Sequence, residues 1–124
     1  MFIVAFYSQI QAKEQRWYKN IQPHESAQLI QINSDNPKFV ILDVRTLGEV
    51  SRGKIENSIQ LDFYSHTFAA DLLKLDKQKT YLVYCRSGNR SSKTLEIMRK
   101  MKFERVYNML GGIRSWNAQG LPVS

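Results

Sequence analysis

The sequence predicts an α/β protein in which a mostly parallel central sheet is flanked by helices on both faces. Two observations support this fold class. Short apolar segments rich in β-branched and aromatic residues alternate along the chain with segments of helical spacing. Two of the apolar runs, KFVILDV and TYLVYC, are continuous, as expected for strands that are buried on both faces. The 124 residues suit one domain with one hydrophobic core.

The N-terminal segment is ambiguous. We assign residues 1–17 to an extension and residues 18–124 to the domain. A short apolar run from Phe2 to Tyr7 lacks the basic start and the length of a secretory signal. It is either the tail of a signal peptide within residues 1–12 or an element that packs on the domain. The expected compartment is therefore cytoplasmic, or exported and periplasmic if the signal interpretation holds.

The first predicted helix is QPHESAQLIQIN. Pro23 suits the first helical position and Glu25 the third. The apolar side of this helix is expected to consist of Ala27, Leu29, Ile30 and Ile32.

The remaining elements follow in regular order. The predicted strands are KFVILDV, SIQLDF, TYLVYC and RVYNM. Between the first two lies RTLGEVSRG, a turn or short helix that Gly53 closes. Helical spacing with apolar residues at Phe68, Leu72, Leu73 and Leu75 predicts a helix in HTFAADLLKL. Two further helices are predicted in NRSSKTLEIMRKMKF and after Gly111 and Gly112.

Two polar segments follow predicted strands at the same edge of the sheet. Cys85 comes directly after one buried strand, and Asp43-Val44-Arg45 ends another. Parallel strands end at one edge, and open α/β sheets bind their ligands beyond that edge. We therefore place the candidate site there.

The segment CRSGNR has the composition of an anion-binding turn. Gly88 permits a backbone turn that other residues resist, and Ser87 and Asn89 are good turn residues. Successive N–H groups in such a turn, followed by a helix N-terminus, can hold a negative charge. Cys85, the only cysteine of the chain, is predicted to be a thiolate with a lowered pKa, because Arg86 and Arg90 also lie close in sequence.

The sequence resembles the single-domain rhodaneses, which are thiosulfate sulfurtransferases. VYCRSGNRSS is similar to their active-site loop, and three further segments match in order: ILDVRTLGEVSRGKI, SIQLDF and VYNMLGGIRSWNAQGLPV. The likeness runs from about Lys19 to Val123. Lys54 departs from the family's usual histidine, and Asn57 from its usual proline or glycine.

The resemblance implies a rhodanese-like fold and a double displacement at Cys85, with no cofactor and no metal. A small anionic donor such as thiosulfate would leave its outer sulfur on the thiolate. Cyanide, an external thiol or a protein sulfur-transfer partner would then accept that sulfur. The expected anion-binding residues are Arg86, Ser87, Gly88, Asn89, Arg90 and Ser91. Asp43 and Arg45 are expected to support the site, with Arg45 paired to a carboxylate such as Glu49.

Two other functions stay open at this point. One is a persulfide carrier or interaction module without high thiosulfate activity. The other is a cysteine phosphatase or arsenate reductase. Those phosphatases have one more residue between the cysteine and the arginine than the four from Arg86 to Asn89. The shorter loop favours a single sulfur atom over a tetrahedral phosphate.

The net charge of +7 indicates a positive field that would attract small anions. The basic residues are scattered rather than grouped in a block, so we expect neither a nucleic-acid partner nor a membrane span.

Overall fold

The central feature of the computed structural model, which describes residues 15–124, is a five-stranded parallel sheet with helices on both faces. This confirms the predicted fold class. The strands are β1 (Trp17–Ile21), β2 (Phe39–Asp43), β3 (Ile59–Gln60), β4 (Thr80–Tyr84) and β5 (Arg105–Met109). The helices are α1 (Pro23–Ile32), α2 (Leu47–Val50), α3 (Phe68–Leu73), α4 (Asn89–Lys100) and α5 (Gly112–Ala118). The two alternatives for residues 1–12, the tail of a signal peptide or an element that packs on the domain, lie outside the described residues.

The strand order places the cysteine at the centre of the sheet. The order is β1-β5-β4-β2-β3, and every neighbouring pair is parallel. Asp43 at the end of β2 pairs in register with Tyr84 at the end of β4. The segments that follow these two strands therefore leave the sheet side by side, as the sequence predicted.

Strand β1 was not among the four strands predicted. It lies at the edge of the sheet and pairs with β5 alone. Its residues Lys19 and Asn20 are exposed, so the segment lacks the apolar run that marks the buried strands. The Tyr18 hydroxyl fixes it by donating a hydrogen bond to the Phe103 carbonyl.

Strand β3 is shorter than the predicted SIQLDF. Only Ile59 and Gln60 pair with β2. The next residues leave the sheet but follow the loop after β2, because the Leu61 amide donates to the Asp43 carbonyl at 2.9 Å. The segment after β3 therefore stays beside the residues that follow β2.

Two apolar clusters separate the faces of the sheet. One contains Cys85 and packs beneath α3 and α4, and the other packs beneath α1 and α5. Two residues that the sequence places on the apolar side of a helix are exposed. Ile32 at the end of α1 is 78% exposed, and Leu73 at the end of α3 is 54% exposed. Each is the last residue of its helix, at a position where the side chain faces away from the sheet. Within residues 15–124, no helix has the length and hydrophobicity needed to cross a membrane.

Candidate active site

The candidate site is a tight loop between β4 and α4. Cys85 directly follows β4, and its side chain is 1% exposed. Gly88 is the residue before α4 and has a φ of 104°, a conformation that favours glycine. The chain therefore reverses within a few residues and directs the start of α4 at the cysteine sulfur.

The Cys85 sulfur lies among hydrogen-bond donors of its own loop. The backbone amides of Gly88 and Ser91 donate to Sγ at 3.1 Å and 3.4 Å. The Ser91 Oγ lies 3.4 Å from Sγ, and the Ser91 hydroxyl also reaches the Gly88 carbonyl at 3.2 Å. Such an arrangement of N–H groups at a helix N-terminus stabilises a negative charge on sulfur.

The balance of these effects lowers the pKa of the Cys85 thiol from its ordinary value. Burial is the largest single influence and raises the pKa, because it penalises the thiolate. Hydrogen bonds from Ser91, Gly88 and Ser87 oppose it and together outweigh it. The thiolate is therefore more populated near neutral pH than that of a free cysteine.

We expect alkylation of Cys85 by iodoacetamide to show a pH midpoint below the ~8.5 of a free thiol. The Ser91→Ala variant removes the side-chain hydrogen bond between Ser91 and the sulfur, which lowers the pKa of Cys85, and should therefore move this midpoint upward. Ser92→Ala is the matched control, because the Ser92 hydroxyl is exposed and donates to the Asn89 carbonyl instead. A wild-type midpoint at or above the free value would contradict the proposed stabilisation of the thiolate.

The arginine at the end of the loop is held by a carboxylate from α2. Both terminal nitrogens of Arg90 donate to Glu49, at 2.7 Å and 2.8 Å. These hydrogen bonds, opposed by burial, lower the pKa of Glu49 to about 2. The Arg90 guanidinium also lies 5.3 Å from the ring centroid of Tyr64. The side chain of Arg90 is thus fixed in place and keeps its positive charge beside the loop.

The expected ion pair between Arg45 and Glu49 is wrong. Arg45 instead binds Asp43, through Nε at 3.0 Å and a terminal nitrogen at 2.8 Å. It reaches Glu49 only at the backbone carbonyl, at 3.4 Å. Asp43 and Arg45 are two residues apart at the end of β2. The carboxylate of Asp43 therefore lies next to the Arg45 guanidinium and pairs with it in place of Glu49.

Asp43 is the centre of a buried polar cluster under the loop. Asp43 and Arg45 are 0% and 4% exposed. The Tyr84 hydroxyl donates to Asp43 at 2.6 Å and accepts from the Ile55 amide at 3.1 Å. Burial, followed by the nearby charge of Asp43, raises the pKa of Tyr84 to about 12. This cluster ties together the residue before Cys85, the end of β2 and the loop before β3.

The start of α5 packs directly against the cysteine loop. The Ile113 amide donates to the Cys85 carbonyl at 2.9 Å, and the Arg114 amide donates to the Arg86 carbonyl at 3.0 Å. A Cβ atom on Gly112 would lie 2.4 Å from the Arg86 carbonyl oxygen and 2.5 Å from that of Cys85. Only glycine allows this approach, so Gly112 sets the distance between α5 and the loop.

We expect Gly112→Ala to lower the free energy of unfolding by ~1–3 kcal/mol more than Gly120→Ala does. Both glycines have a positive φ, of 59° and 70°, but no atom lies within 4 Å of a Cβ built on Gly120. The difference therefore isolates the clash with the loop from the cost of the backbone conformation. Urea unfolding of both variants measures it, and equal losses would contradict this account of Gly112.

The predicted site residues are brought together to different degrees. Cys85, Gly88 and Ser91 meet at the sulfur, whereas the side chains of Arg86, Ser87 and Asn89 are exposed. Two residues of the site were not predicted from the sequence: Tyr84, the donor to Asp43, and Tyr64, a neighbour of Arg90. One feature of the site can be recognised from the sequence. In TLGE, a threonine followed three residues later by a glutamate is typical of a capping box at the start of a helix. Across residues 15–124, no group of side chains has the composition and spacing of a metal site.

These features define a class of protein: a parallel α/β domain with a cysteine loop at the carboxyl end of its central strand. The family model for the Rhodanese-like domain matches residues 26–119. The chain belongs to the rhodanese-like family.

Relatives and solved structures agree with this assignment. A sulfurtransferase of Allochromatium vinosum is 31% identical over 99 residues, which cover 80% of this chain and 91% of the relative. A tRNA uridine(34) hydroxylase of Erwinia tasmaniensis is 35% identical over 99 residues, which cover 72% of this chain but only 28% of that longer protein. The crystal structure of a rhodanese-related protein from Thermoplasma volcanium superimposes with a TM-score of 0.72 at 29% identity, over 86% of this chain and 98% of that one.

Proposed function

We propose that this protein is a sulfurtransferase that carries sulfane sulfur as a persulfide on Cys85. The donor is thiosulfate or a related small anion, and the acceptor is cyanide or an external thiol. The observation that carries the proposal is the ring of donors around the sulfur, with the Gly88 amide at 3.1 Å and the Ser91 amide at 3.4 Å. The similarity to the sulfurtransferase of Allochromatium vinosum supports the same reaction class.

The reaction has two displacements. The Cys85 thiolate attacks the outer sulfur of thiosulfate, the S–S bond of the donor breaks, and sulfite leaves with the electron pair. The terminal sulfur of the resulting persulfide is anionic, and the same amides can stabilise its charge. The acceptor then attacks that sulfur and Cys85 leaves as a thiolate, which restores the starting state. Cys85 is the only cysteine in this sequence, so no second thiol of the chain can resolve the persulfide. The acceptor therefore comes from outside the chain.

The state of Arg90 favours sulfur over phosphate chemistry. Its two terminal nitrogens already bind Glu49. The Glu49 carboxylate takes two of the five N–H donors of the guanidinium and offsets its charge, which weakens its attraction for a doubly charged phosphate. In our proposal Arg90 contributes positive charge beside the loop, and the exposed Arg86 is the better placed of the two for contact with a small anion. Direct anion contact by Arg90 stays a prediction.

The experiment that tests this function is thiocyanate formation from thiosulfate and cyanide. We expect turnover that saturates with thiosulfate and absence of turnover when p-nitrophenyl phosphate replaces it. Hydrolysis of p-nitrophenyl phosphate without thiocyanate formation would favour the phosphatase. If thiocyanate forms slowly but the protein accepts sulfur stoichiometrically, the persulfide carrier is the better description.

A second candidate is participation in tRNA uridine hydroxylation, as the name of the Erwinia tasmaniensis relative suggests. This chain matches only 28% of that protein's length, so the activity of the whole relative is a separate proposal for this chain. Expression of the chain in a bacterial strain that lacks its own tRNA uridine(34) hydroxylase tests it. Restored hydroxylation at uridine 34, measured by nucleoside mass spectrometry, would support this candidate, and unmodified tRNA would remove it.

A further inference from the structure

A basic pocket lies on the face of the sheet that α5 covers. Its volume is about 250 Å³. Arginines from three separate parts of the chain line it: Arg52 from the turn after α2, Arg86 from the cysteine loop and Arg114 from α5. Ile113 and Val123 also line the pocket and give it an apolar wall. The pocket therefore offers positive charge and apolar surface to the same ligand.

The protein does not neutralise the positive charge of this pocket. Arg52, Arg86 and Arg114 form no ion pair within residues 15–124. The other two charged side chains of the pocket, Arg45 and Glu49, have opposite signs, and each is held in an ion pair outside this group. A concave surface that carries charge of one sign focuses its field and attracts ions of the other sign. The unpaired arginines therefore point to an anionic ligand.

The pocket and the sulfur lie on opposite faces of the sheet. The Cys85 side chain packs in the apolar cluster beneath α3 and α4, whereas Ile113 of the pocket belongs to the cluster beneath α1 and α5. Gly88 and Ser91, whose amides donate to the sulfur, are not among the residues that line the pocket. A ligand in this pocket would therefore bind without contact with the sulfur of Cys85.

The chemistry of the pocket suits a phosphate group better than a carboxylate. A single guanidinium satisfies a carboxylate with two parallel hydrogen bonds, so a carboxylate leaves two of the three arginines without a partner. A phosphate monoester carries nearly two negative charges and three strong acceptor oxygens, which can serve several guanidinium groups at once. Drug-sized ligands occupy roughly 300–1,000 Å³, so the smaller volume of this pocket suits a phosphate with a small organic group.

We propose that this pocket binds a small phosphate monoester, with the phosphate held by Arg52, Arg86 and Arg114 and the organic group against Ile113 and Val123. The role of the pocket is binding. The site is additional to the cysteine loop, and the proposal does not depend on sulfur transfer at Cys85.

Calorimetry with three probes tests the class of ligand, in a phosphate-free buffer of low ionic strength. We expect phenyl phosphate to bind more tightly than inorganic phosphate, because its ring can contact Ile113 and Val123. Benzoate has the same ring but a single charge, and it should bind at least about tenfold more weakly than phenyl phosphate. Inorganic phosphate that binds as tightly as phenyl phosphate would overturn the assignment to a monoester. Benzoate that binds as tightly as phenyl phosphate would overturn the assignment to phosphate.

A double variant tests the arginines without a change in the cysteine loop. For Arg52→Gln/Arg114→Gln we expect the Kd for phenyl phosphate to rise at least about tenfold, because two charged donors are lost. Arg99→Gln/Lys100→Gln is the charge-matched control, since both side chains are exposed in the last turn of α4 and do not line the pocket. The control should keep its Kd within about twofold of wild type. Equal weakening in both double variants would overturn the pocket, because net charge alone would then explain the binding.

NMR chemical-shift mapping locates the bound phenyl phosphate. We expect larger shifts at the amides of Gly53 and Asn117, which line the pocket, than at those of Gly88 and Ser91, which donate to the sulfur. The Cys85→Ser variant should bind phenyl phosphate as tightly as the wild-type protein. Larger shifts at Gly88 and Ser91, or loss of binding in Cys85→Ser, would place the anion in the cysteine loop and overturn the proposal.

Urea unfolding separates a loss of binding from a loss of folding. A ligand that binds only the folded state stabilises it, so phenyl phosphate should raise the unfolding midpoint of the wild-type protein and of the control variant. The variant Arg52→Gln/Arg114→Gln should unfold cooperatively and show a smaller increase. An increase equal to that of the wild-type protein would overturn the role of these two arginines.

These measurements also keep the pocket distinct from the sulfurtransferase function. Binding of phenyl phosphate by a protein that forms no persulfide would support the pocket and overturn the sulfurtransferase function. A protein that forms thiocyanate but does not bind phenyl phosphate would overturn the pocket and leave the sulfurtransferase function standing.

Discussion

We expect the Cys85→Ser variant to form thiocyanate at least ~10³-fold more slowly than the wild-type protein. A serine hydroxyl does not ionise near neutral pH. The hydrogen-bond donors around this position would then have no anion to stabilise, and thiosulfate would meet no nucleophile. Serine also fits the space of the buried cysteine side chain. The variant should therefore fold, and the loss should appear in kcat.

Ser92→Ala is the control for this result, because it changes an exposed side chain of the helix that follows the cysteine loop and should keep wild-type turnover. Circular dichroism and urea unfolding establish that Cys85→Ser is folded. Thiocyanate formation by folded Cys85→Ser at the wild-type rate would contradict the role assigned to the cysteine.

The largest loss of stability is expected from Asp43→Ala. This change leaves the guanidinium of Arg45 buried without its carboxylate and removes the acceptor of the Tyr84 hydroxyl. Breaking a buried ion pair by removing one partner typically costs ~3–5 kcal/mol. Domains unfold with only ~5–15 kcal/mol, so this one change would remove a large share of the stability.

Two further variants make the effect of Asp43→Ala interpretable. Asp43→Asn keeps the shape and an acceptor oxygen, and it should cost less than alanine. Asp35→Ala removes an exposed carboxylate and should change the free energy of unfolding by less than ~0.5 kcal/mol. Urea unfolding measures all three, and a loss below ~1 kcal/mol for Asp43→Ala would contradict the importance of the buried cluster.

The sequence predicts the buried part of the fold well and the edges poorly. Strands β2 and β4 follow from continuous apolar runs, since a strand covered on both faces must be apolar on both. Strand β1 could not be recognised, because an edge strand with exposed Lys19 and Asn20 has no such run. The exposed Ile32 and Leu73 show the same limit at helix ends, where composition alone does not tell which way the last residue faces.

The candidate site is also predictable only in part, and here the difference is between local and distant contacts. The turn at Gly88 and the position of Cys85 are predictable, because they depend on a few consecutive residues. The partner of Arg90 is not predictable, because it depends on which loops meet in three dimensions. Glu49 was expected at Arg45 and instead binds Arg90, which lies 41 residues further along the chain. Asn57 stands where the family usually has proline or glycine. Its φ of 67° is one that asparagine tolerates well, so this departure from the family pattern fits the backbone.

The most direct test of the central claim is intact-protein mass spectrometry after treatment with thiosulfate. We expect the wild-type protein to gain the mass of one sulfur atom, and peptide analysis should place that atom on Cys85. Subsequent cyanide should remove it and yield thiocyanate, and Cys85→Ser should gain nothing. An unchanged mass for the wild-type protein, or a sulfur that remains bound in Cys85→Ser, would contradict the proposal that Cys85 carries sulfur as a persulfide.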